Sequence, residues 1–314
     1  MSSNLRVAVI GVGHLGQHHA RLLSAMPGVD LVGVVDTSAE RGQEIAAKYG
    51  TEAFTSPSAL AGRVDAVSIA APTSAHVTLA LPLVEAGVPV LVEKPIAFSL
   101  EEADRLLEAA RRRGTMVATG HTERFNPAVV AALPLVTEPR FIEIHRLGTF
   151  PERSLDIDVI FDLMIHDLDL LLAVVRSEVV SIEAVGVNVL TPRADIANAR
   201  LRFASGCIAN VTASRISRDR VRKARFFQQR AYVSIDYAAQ EVEMYRLVPG
   251  EGRPVIQGGR VEVANEEPLK RELEDFVDAV RTGRAPGVTG QAGRDALALA
   301  TRVADTMALT EQQS

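Results

Sequence analysis

A single cysteine, Cys207, stands in a chain of 314 residues. One thiol builds neither a disulfide framework nor a thiolate metal site, which points to a reducing compartment. No histidine and cysteine cluster has ligand spacing, so no metal is expected and a metal-dependent lyase is poorly supported. No apolar run approaches the roughly 18 residues that span a bilayer. The opening residues Met1 to Arg6 lack the basic region of a signal peptide, and glycines soon break the apolar run that follows. Cytoplasmic residence without membrane attachment is the expectation. Positive charge is not in excess either: 34 Lys and Arg against 39 Asp and Glu leave a net charge of -5. The one dense basic run, Arg215, Arg218, Arg220, Arg222, Lys223 and Arg225, has no RNP-like aromatic pattern beside it. It reads as a solvated strand connection or a subunit interface, and no nucleic-acid partner is expected. Internal repeats and low-complexity tracts are absent.

What is present is apolar residue in quantity, 47% of the chain, and length for about two domains at roughly 150 residues each. Strand and helix patterns alternate through the first 120 residues. Val7 to Ile10, Leu31 to Val35, Val64 to Ala70, Val90 to Val92 and Met116 to Thr119 read as strands. Helices are expected from Gly16 to about Ala25, over Ala39 to Tyr49, His76 to Ala86 and Leu100 to Arg113. The last opens on Ser99 with Glu101 and Glu102 in its first turn and stops at Gly114. Continuous apolar strands separated by helices mean a parallel sheet covered on both faces.

The pattern changes between Gly120 and Pro139. Phe141 to His145 reads as a strand and Asp158 to Val175 as one helix. Val179 to Leu190, Ala199 to Phe203, Cys207 to Thr212, Ala231 to Asp236 and Val242 to Leu247 then follow at hairpin spacing, and two helices near Leu269 to Arg281 and Gly290 to Leu309 close the chain. The expected fold is a doubly wound α/β Rossmann domain, residues 1–123, followed by an α+β domain, residues 124–288, with an open, mostly antiparallel sheet. The final helix, residues 289–314, is expected to pack back on the first domain.

Gly11, Gly13 and Gly16 form GxGxxG between a strand and a helix. The first glycine permits a tight turn, the second lets backbone approach a pyrophosphate, and the third allows close helix–strand packing. The helix start offers unpaired N–H groups and a partial positive charge to the diphosphate. His14 and Leu15 belong to the same loop. Asp36 ends the next strand, 20 residues after Gly16, where a carboxylate accepts the adenosine ribose hydroxyls and repels a 2′-phosphate. NAD is therefore expected over NADP, with Thr37 beside the ribose and Arg41 near enough to leave that preference open.

Ala71-Pro72-Thr73-Ser74-Ala75-His76 and Glu93-Lys94-Pro95, at the ends of later strands, together with Asp162-Leu163-Met164-Ile165-His166, resemble the glucose–fructose oxidoreductase / inositol dehydrogenase (Gfo/Idh/MocA) family over essentially the whole chain. The resemblance implies an NAD-dependent dehydrogenase of CH–OH groups. Ala71, Pro72, Thr73, His76, Glu93, Lys94 and Pro95 would then lie along the cofactor. His76 also has the simpler reading of a helix start. Lys94 would hydrogen-bond the reacting hydroxyl, His166 would be the acid/base partner, and Asp162 would orient the substrate or the histidine. The chemistry fits these types, because removing hydride from a secondary alcohol requires a base for the hydroxyl proton, and residues at i and i+4 share a helix face. Asp158 stands in the region where the family usually has a glycine before the aspartate.

Gly120-His121-Thr122-Glu123-Arg124-Phe125-Asn126-Pro127 and the string Asp158 to Asp169 resemble more narrowly the subgroup that oxidises the 3-hydroxyl of UDP-N-acetylglucosamine. In that subgroup the 3-keto product passes to a PLP aminotransferase. On this resemblance Glu123, Arg124, Asn126 and Arg153 join Lys94, Asp162 and His166 as substrate residues. Arg124, Arg146 and Arg153 are placed to meet a diphosphate. A dehydrogenase of a free polyol, inositol or simple sugar is the nearest alternative, and a non-catalytic NAD or sugar sensor is another. The exposed face of the antiparallel sheet suits a homodimer or homotetramer.

Overall fold

The computed structural model describes residues 4–150 and 157–311. Its first run of elements is β1 (Leu5–Ile10), α1 (Gly16–Ser24), β2 (Val29–Val35), α2 (Ala39–Tyr49), β3 (Glu52–Phe54), β4 (Ala66–Ile69), α3 (His76–Glu85), β5 (Val90–Glu93), α4 (Leu100–Arg113) and β6 (Val117–Gly120). Next come α5 (Pro127–Ala132), β7 (Pro139–Leu147), a π-helical turn (Ile160–Met164), α6 (Ile165–Val175), β8 (Val179–Val187), β9 (Ile196–Phe203), β10 (Ile208–Ser214), β11 (Val221–Gln228), β12 (Ala231–Asp236), β13 (Glu241–Val248) and β14 (Val255–Val261). Helices α7 (Pro268–Thr282) and α8 (Gly290–Glu311) end the chain. Among the described residues no helix is long and apolar enough to cross a membrane.

Contacts divide the chain into two units: residues 1–122 with 267–297, and residues 123–266 with 298–314. The first holds a six-stranded sheet in the order β3-β2-β1-β4-β5-β6, every neighbouring pair parallel. Val7, Ala8, Val9 and Ile10 are all buried, because a central parallel strand is covered on both faces. The order reverses between β1 and β4, and in open α/β sheets such a switch point, at the carboxyl ends of the strands, is where ligands bind. Local chemistry sets the helix limits. Ser99 Oγ accepts the Glu102 N–H at the start of α4, and Gly114 ends it in the left-handed conformation.

The second unit holds an eight-stranded sheet in the order β14-β13-β12-β11-β7-β10-β9-β8. Only β7 and β10 run parallel; the other neighbours are antiparallel. One face carries Ile142, Ile144, Ala199, Leu201, Val211, Phe226 and Val233 into the core. The other carries a ladder of half-buried to exposed aromatic rings, Phe141, Phe227, Tyr232 and Tyr245, at centroid spacings of 5.7, 5.2 and 6.4 Å.

Several elements differ from the expectation. Val221–Gln228 is a full strand between β7 and β12, not a solvated connection. Lys223 and Arg225 fall on the face opposite Ala224 and Phe226, while exposed Arg222 shares the inward face beside Arg146, so the charges hide its period of two. Arg215, at the head of the basic run, is buried against Asp195. The helix expected from Asp158 begins instead as a π turn. Helix α7 groups with the first unit, because Leu273, Phe276 and Val277 pack with Val7, Leu23 and Leu31 in one core. Residues 298–311 of α8 group with the second, where Arg302 donates to Val179 O and Met307 lies against Gly186.

This packing separates two phenylalanines. Phe276 is 1% exposed, whereas Phe98 is 74% exposed. Phe276→Ala is expected to lower unfolding free energy by about 3–5 kcal/mol in urea denaturation, and Phe98→Ala by less than about 0.5 kcal/mol.

Candidate functional site

The loop after β1 turns on Gly11, whose φ is +82°. A methyl there would sit 2.8 Å from Ala70 O and Ala71 N. A side chain on Gly16 would collide with Gly11 O. Gly13 is different: it is exposed, and an added Cβ would meet nothing within 4 Å. Two glycines are thus demanded by the protein's own packing, and the third leaves the backbone open to an incoming group. Helix α1 begins beyond it with no side-chain cap and no acidic residue in its first turn. That leaves donor groups and the positive end of the dipole for an anion.

Asp36 binds this loop from the end of β2. Its carboxylate accepts the Val12 N–H at 3.0 Å and the Ser38 N–H at 2.9 Å. Arg41 is held on the same loop, with Nε donating to Val12 O at 2.9 Å and Nη1 on Glu44 at 2.6 Å. His14, Leu15 and Thr37 are exposed around the loop.

The loops after β4 and β5 are joined by His76, the first residue of α3. Its Nδ1 lies 2.8 Å from Pro95 O and its Nε2 2.8 Å from Ala71 O, so both ring nitrogens face backbone carbonyls, and the neutral ring donates to one of them. Burial outweighs these two carbonyls and holds the imidazole below its usual pKa. Pro72 is exposed, and a short 3-10 turn, Thr73–Ala75, leads into the helix. The Lys94–Pro95 peptide is cis, and the Lys94 side chain is half-buried.

Glu93, expected beside the cofactor, is 6% exposed. Its Oε1 lies 3.2 Å from His19 Nε2 and its Oε2 accepts the Lys94 N–H at 3.1 Å. His19 Nδ1 is bonded to Ser68 Oγ at 2.8 Å. Burial opposes ionisation of Glu93, but His19 and then Lys94 outweigh it and hold the carboxyl below the usual range. A second buried carboxyl, Glu272 of α7, accepts the Thr122 hydroxyl at 3.1 Å. Burial, and then the Glu93 charge, push Glu272 well above the usual range. Sequence reasoning missed His19, Ser68 and Glu272. The one available signal was Ser68, a polar residue within the apolar strand Ala66–Ile69.

In the second unit Asp162 lies in the π turn and His166 in the first turn of α6, both half-buried. Asp167 points the other way into the core and takes a two-pronged bond from Arg146, Nε to Oδ2 and Nη2 to Oδ1, each 2.8 Å. Arg146 Nη2 also reaches Glu123 at 3.3 Å. Arg146 is therefore a buried structural cation and not available for a diphosphate. Arg124 Nε lies 3.6 Å from Asp169. Asn126 is buried and spent on backbone: Oδ1 caps α5 through the Ala128 N–H, and Nδ2 donates to Tyr237 O. Arg153 lies outside the described residues.

Comparison with known proteins agrees with this geometry. Residues 5–121 match the oxidoreductase family with an NAD-binding Rossmann fold, and residues 139–234 match the GFO/IDH/MocA C-terminal domain. UDP-N-acetylglucosamine 3-dehydrogenase of Acidithiobacillus ferrooxidans is 42% identical over 303 residues, 96% of each chain. A solved structure of that enzyme superposes with a TM-score of 0.91 at 41% identity, covering 97% of this chain and 98% of that one. The scyllo-inositol 2-dehydrogenase (NAD(+)) of Bacillus subtilis is 27% identical over 309 residues, 92% of this chain and 90% of that one. With both of its halves matched and its glycine turn, Asp36 and Glu93-Lys94-Pro95 in place, the chain belongs to the Gfo/Idh/MocA family of NAD-binding oxidoreductases.

Proposed function

We propose that the chain oxidises the 3-hydroxyl of UDP-N-acetylglucosamine, or of a closely related UDP-sugar, with NAD. The observation that carries this reading is the 42% identity, sustained over 96% of both chains, to an enzyme named for that reaction. The inositol dehydrogenase stands well below it at 27%.

The glycine loop fits the dinucleotide: Gly13 leaves space that no protein atom fills, at the uncapped start of α1. Asp36 is the ribose-facing acid. Its two backbone bonds fix the carboxylate in place, and an acid there discriminates against a 2′-phosphate. Arg41, tied to Val12 O and Glu44, has much of its charge already answered. NAD, when bound, supplies the hydride acceptor. The protein's part is the proton. Lys94 holds the reacting hydroxyl, His166 takes its proton, and Asp162 orients the imidazole or the sugar. Arg124 and Arg153 are the arginines left to meet a diphosphate. The reaction belongs in the cytoplasm, where a PLP aminotransferase would consume the 3-keto sugar. The aromatic face of the eight-stranded sheet suits a homodimer or homotetramer.

Fluorescence titration with NADH and NADPH is expected to show tighter NADH binding, and Asp36→Ala to narrow the difference. Equal affinities in the wild-type protein would remove Asp36 from its assigned role. Lys94→Ala and His166→Ala are each expected to lower kcat by about 10²–10⁴-fold with little change in NAD affinity. A variant that keeps near-normal kcat on the true substrate would lose its assignment. Finally, enzyme, NAD, UDP-N-acetylglucosamine, a sugar aminotransferase and glutamate together should yield a 3-amino nucleotide sugar by mass spectrometry. Reduction of NAD by a free polyol, with no conversion of any UDP-sugar, would overturn the substrate assignment and leave the dehydrogenase intact.

A further inference from the structure

A buried polar cluster lies beneath Lys94 in the first unit, and the chemistry above leaves it without a role. Its members come from four separated elements: His19 on α1, Ser68 on β4, Glu93 at the end of β5 and Glu272 on α7. Burying such groups is costly unless each is answered by a partner. The partners form a chain with a direction. Ser68 Oγ meets His19 Nδ1 at 2.8 Å, His19 Nε2 meets Glu93 Oε1 at 3.2 Å, and Glu93 Oε2 accepts the Lys94 N–H at 3.1 Å. Gly120 on β6 completes the seat. A Cβ on it would fall 2.9–3.0 Å from the Glu93 carboxyl, so only glycine lets the strand lie against that group.

We propose that Glu93 and His19 are positioning residues for Lys94: the imidazole fixes the carboxylate, and the carboxylate fixes the backbone from which the lysine side chain departs. The inference rests on the reading of Lys94 as the residue that holds the reacting hydroxyl. Charge balance supports it. His19 and then Lys94 hold the Glu93 carboxyl below the usual range against its burial, whereas burial and then the Glu93 charge push Glu272 well above it. Of the two buried carboxyls Glu93 is the one that favours the anion, and its Oε2 accepts the Lys94 N–H.

The test compares neutral amides at the two positions. Glu93→Gln and His19→Asn are expected to lower kcat by about 10- to 100-fold with the KM for NAD within about threefold, the scale of a small misplacement of a reacting group. Glu272→Gln is expected to stay within about twofold of wild-type kcat, since the amide mimics the protonated acid. It should also gain Tm over wild type as pH rises above the ordinary carboxylate range. An acid whose folded pKa is raised withdraws stability from the wild type through that window, and the amide does not titrate. Ser68→Ala is a milder probe if His19→Asn fails to fold. A double-mutant cycle separates positioning from simple support. In a Lys94→Ala background, Glu93→Gln should cost no further activity, because groups acting as one unit are not additive. A substrate-free measurement accompanies it: the labelling rate of Lys94 by acetic anhydride at fixed pH, read by mass spectrometry. It should change in Glu93→Gln and not in Glu272→Gln, because a lysine whose backbone is no longer held by Glu93 meets the reagent differently. If Lys94→Ala keeps wild-type kcat, the catalytic reading of Lys94 fails. If Lys94→Ala is inactive but Glu93→Gln keeps full kcat and unchanged labelling, or adds its full loss to Lys94→Ala, the positioning inference is overturned.

Discussion

How closely α1 can approach the end of β1 governs everything at the carboxyl ends of the parallel sheet. Gly16 has no side chain, and the Gly11 carbonyl oxygen occupies the space where one would be. A methyl there would push the helix outward. Three residues along, His19 would then leave Ser68 and Glu93, and the seat under Lys94 would open. The Val12 N–H, held by Asp36, lies in the same turn and would move with it. One missing side chain therefore sets both the loop that fits a diphosphate and, through the core, the strand end that carries the lysine. Close packing transmits such a displacement because protein interiors have few voids to absorb it.

The second unit solves a related problem by burying charge in matched pairs. Arg146 of β7 and Asp167 of α6 form a bond with two parallel prongs, which fixes an orientation as well as a distance. It holds the helix that carries His166 against the sheet. Asp195 and Arg215 do the same for the segment before that helix. Asp195 accepts the N–H groups of Val189, Leu190 and Thr191, and Arg215 donates to Asp195 and to Ile157 O. Burial opposes ionisation of Asp195, but these donors hold its carboxyl far below the usual range. Losing one member of such a pair leaves an uncompensated buried ion, a destabilisation of about 3–5 kcal/mol.

What could be read in advance follows from the range of the interactions. Gly11, Gly16 and Asp36 were legible because their constraint is local: a turn, a helix start and the next strand end. The parallel strands were legible because both faces are buried and the runs are continuously apolar. Strand β11 was not, because Arg222, Lys223 and Arg225 spread charge over both of its faces and only Ala224 and Phe226 among its residues are buried. Strand β14 has two glycines and no buried residue, so it offers no apolar face to find. The buried cluster was out of reach for a different reason. Its contacts join residues 49 apart, as between His19 and Ser68, and 150 apart, as between Thr122 and Glu272. Nothing in the neighbourhood of any one of them signals the others. Asn126 and Arg146 show the converse, since their bonds to Tyr237 O, the Ala128 N–H and Asp167 tie polar side chains into the fold in a way no local pattern announces.

The π turn at Ile160–Met164 has a consequence of its own. Such a turn is an α-helix with one surplus residue. The wider turn takes up that residue locally, so α6 and its bond to Arg146 follow in ordinary helical register. Deleting one residue between Asp162 and His166 would restore α-helical winding and bring the two from four residues apart to three, still on one face. The turn is in effect slack in the chain, which can be taken up or let out ahead of α6 without disturbing the packing that anchors the histidine.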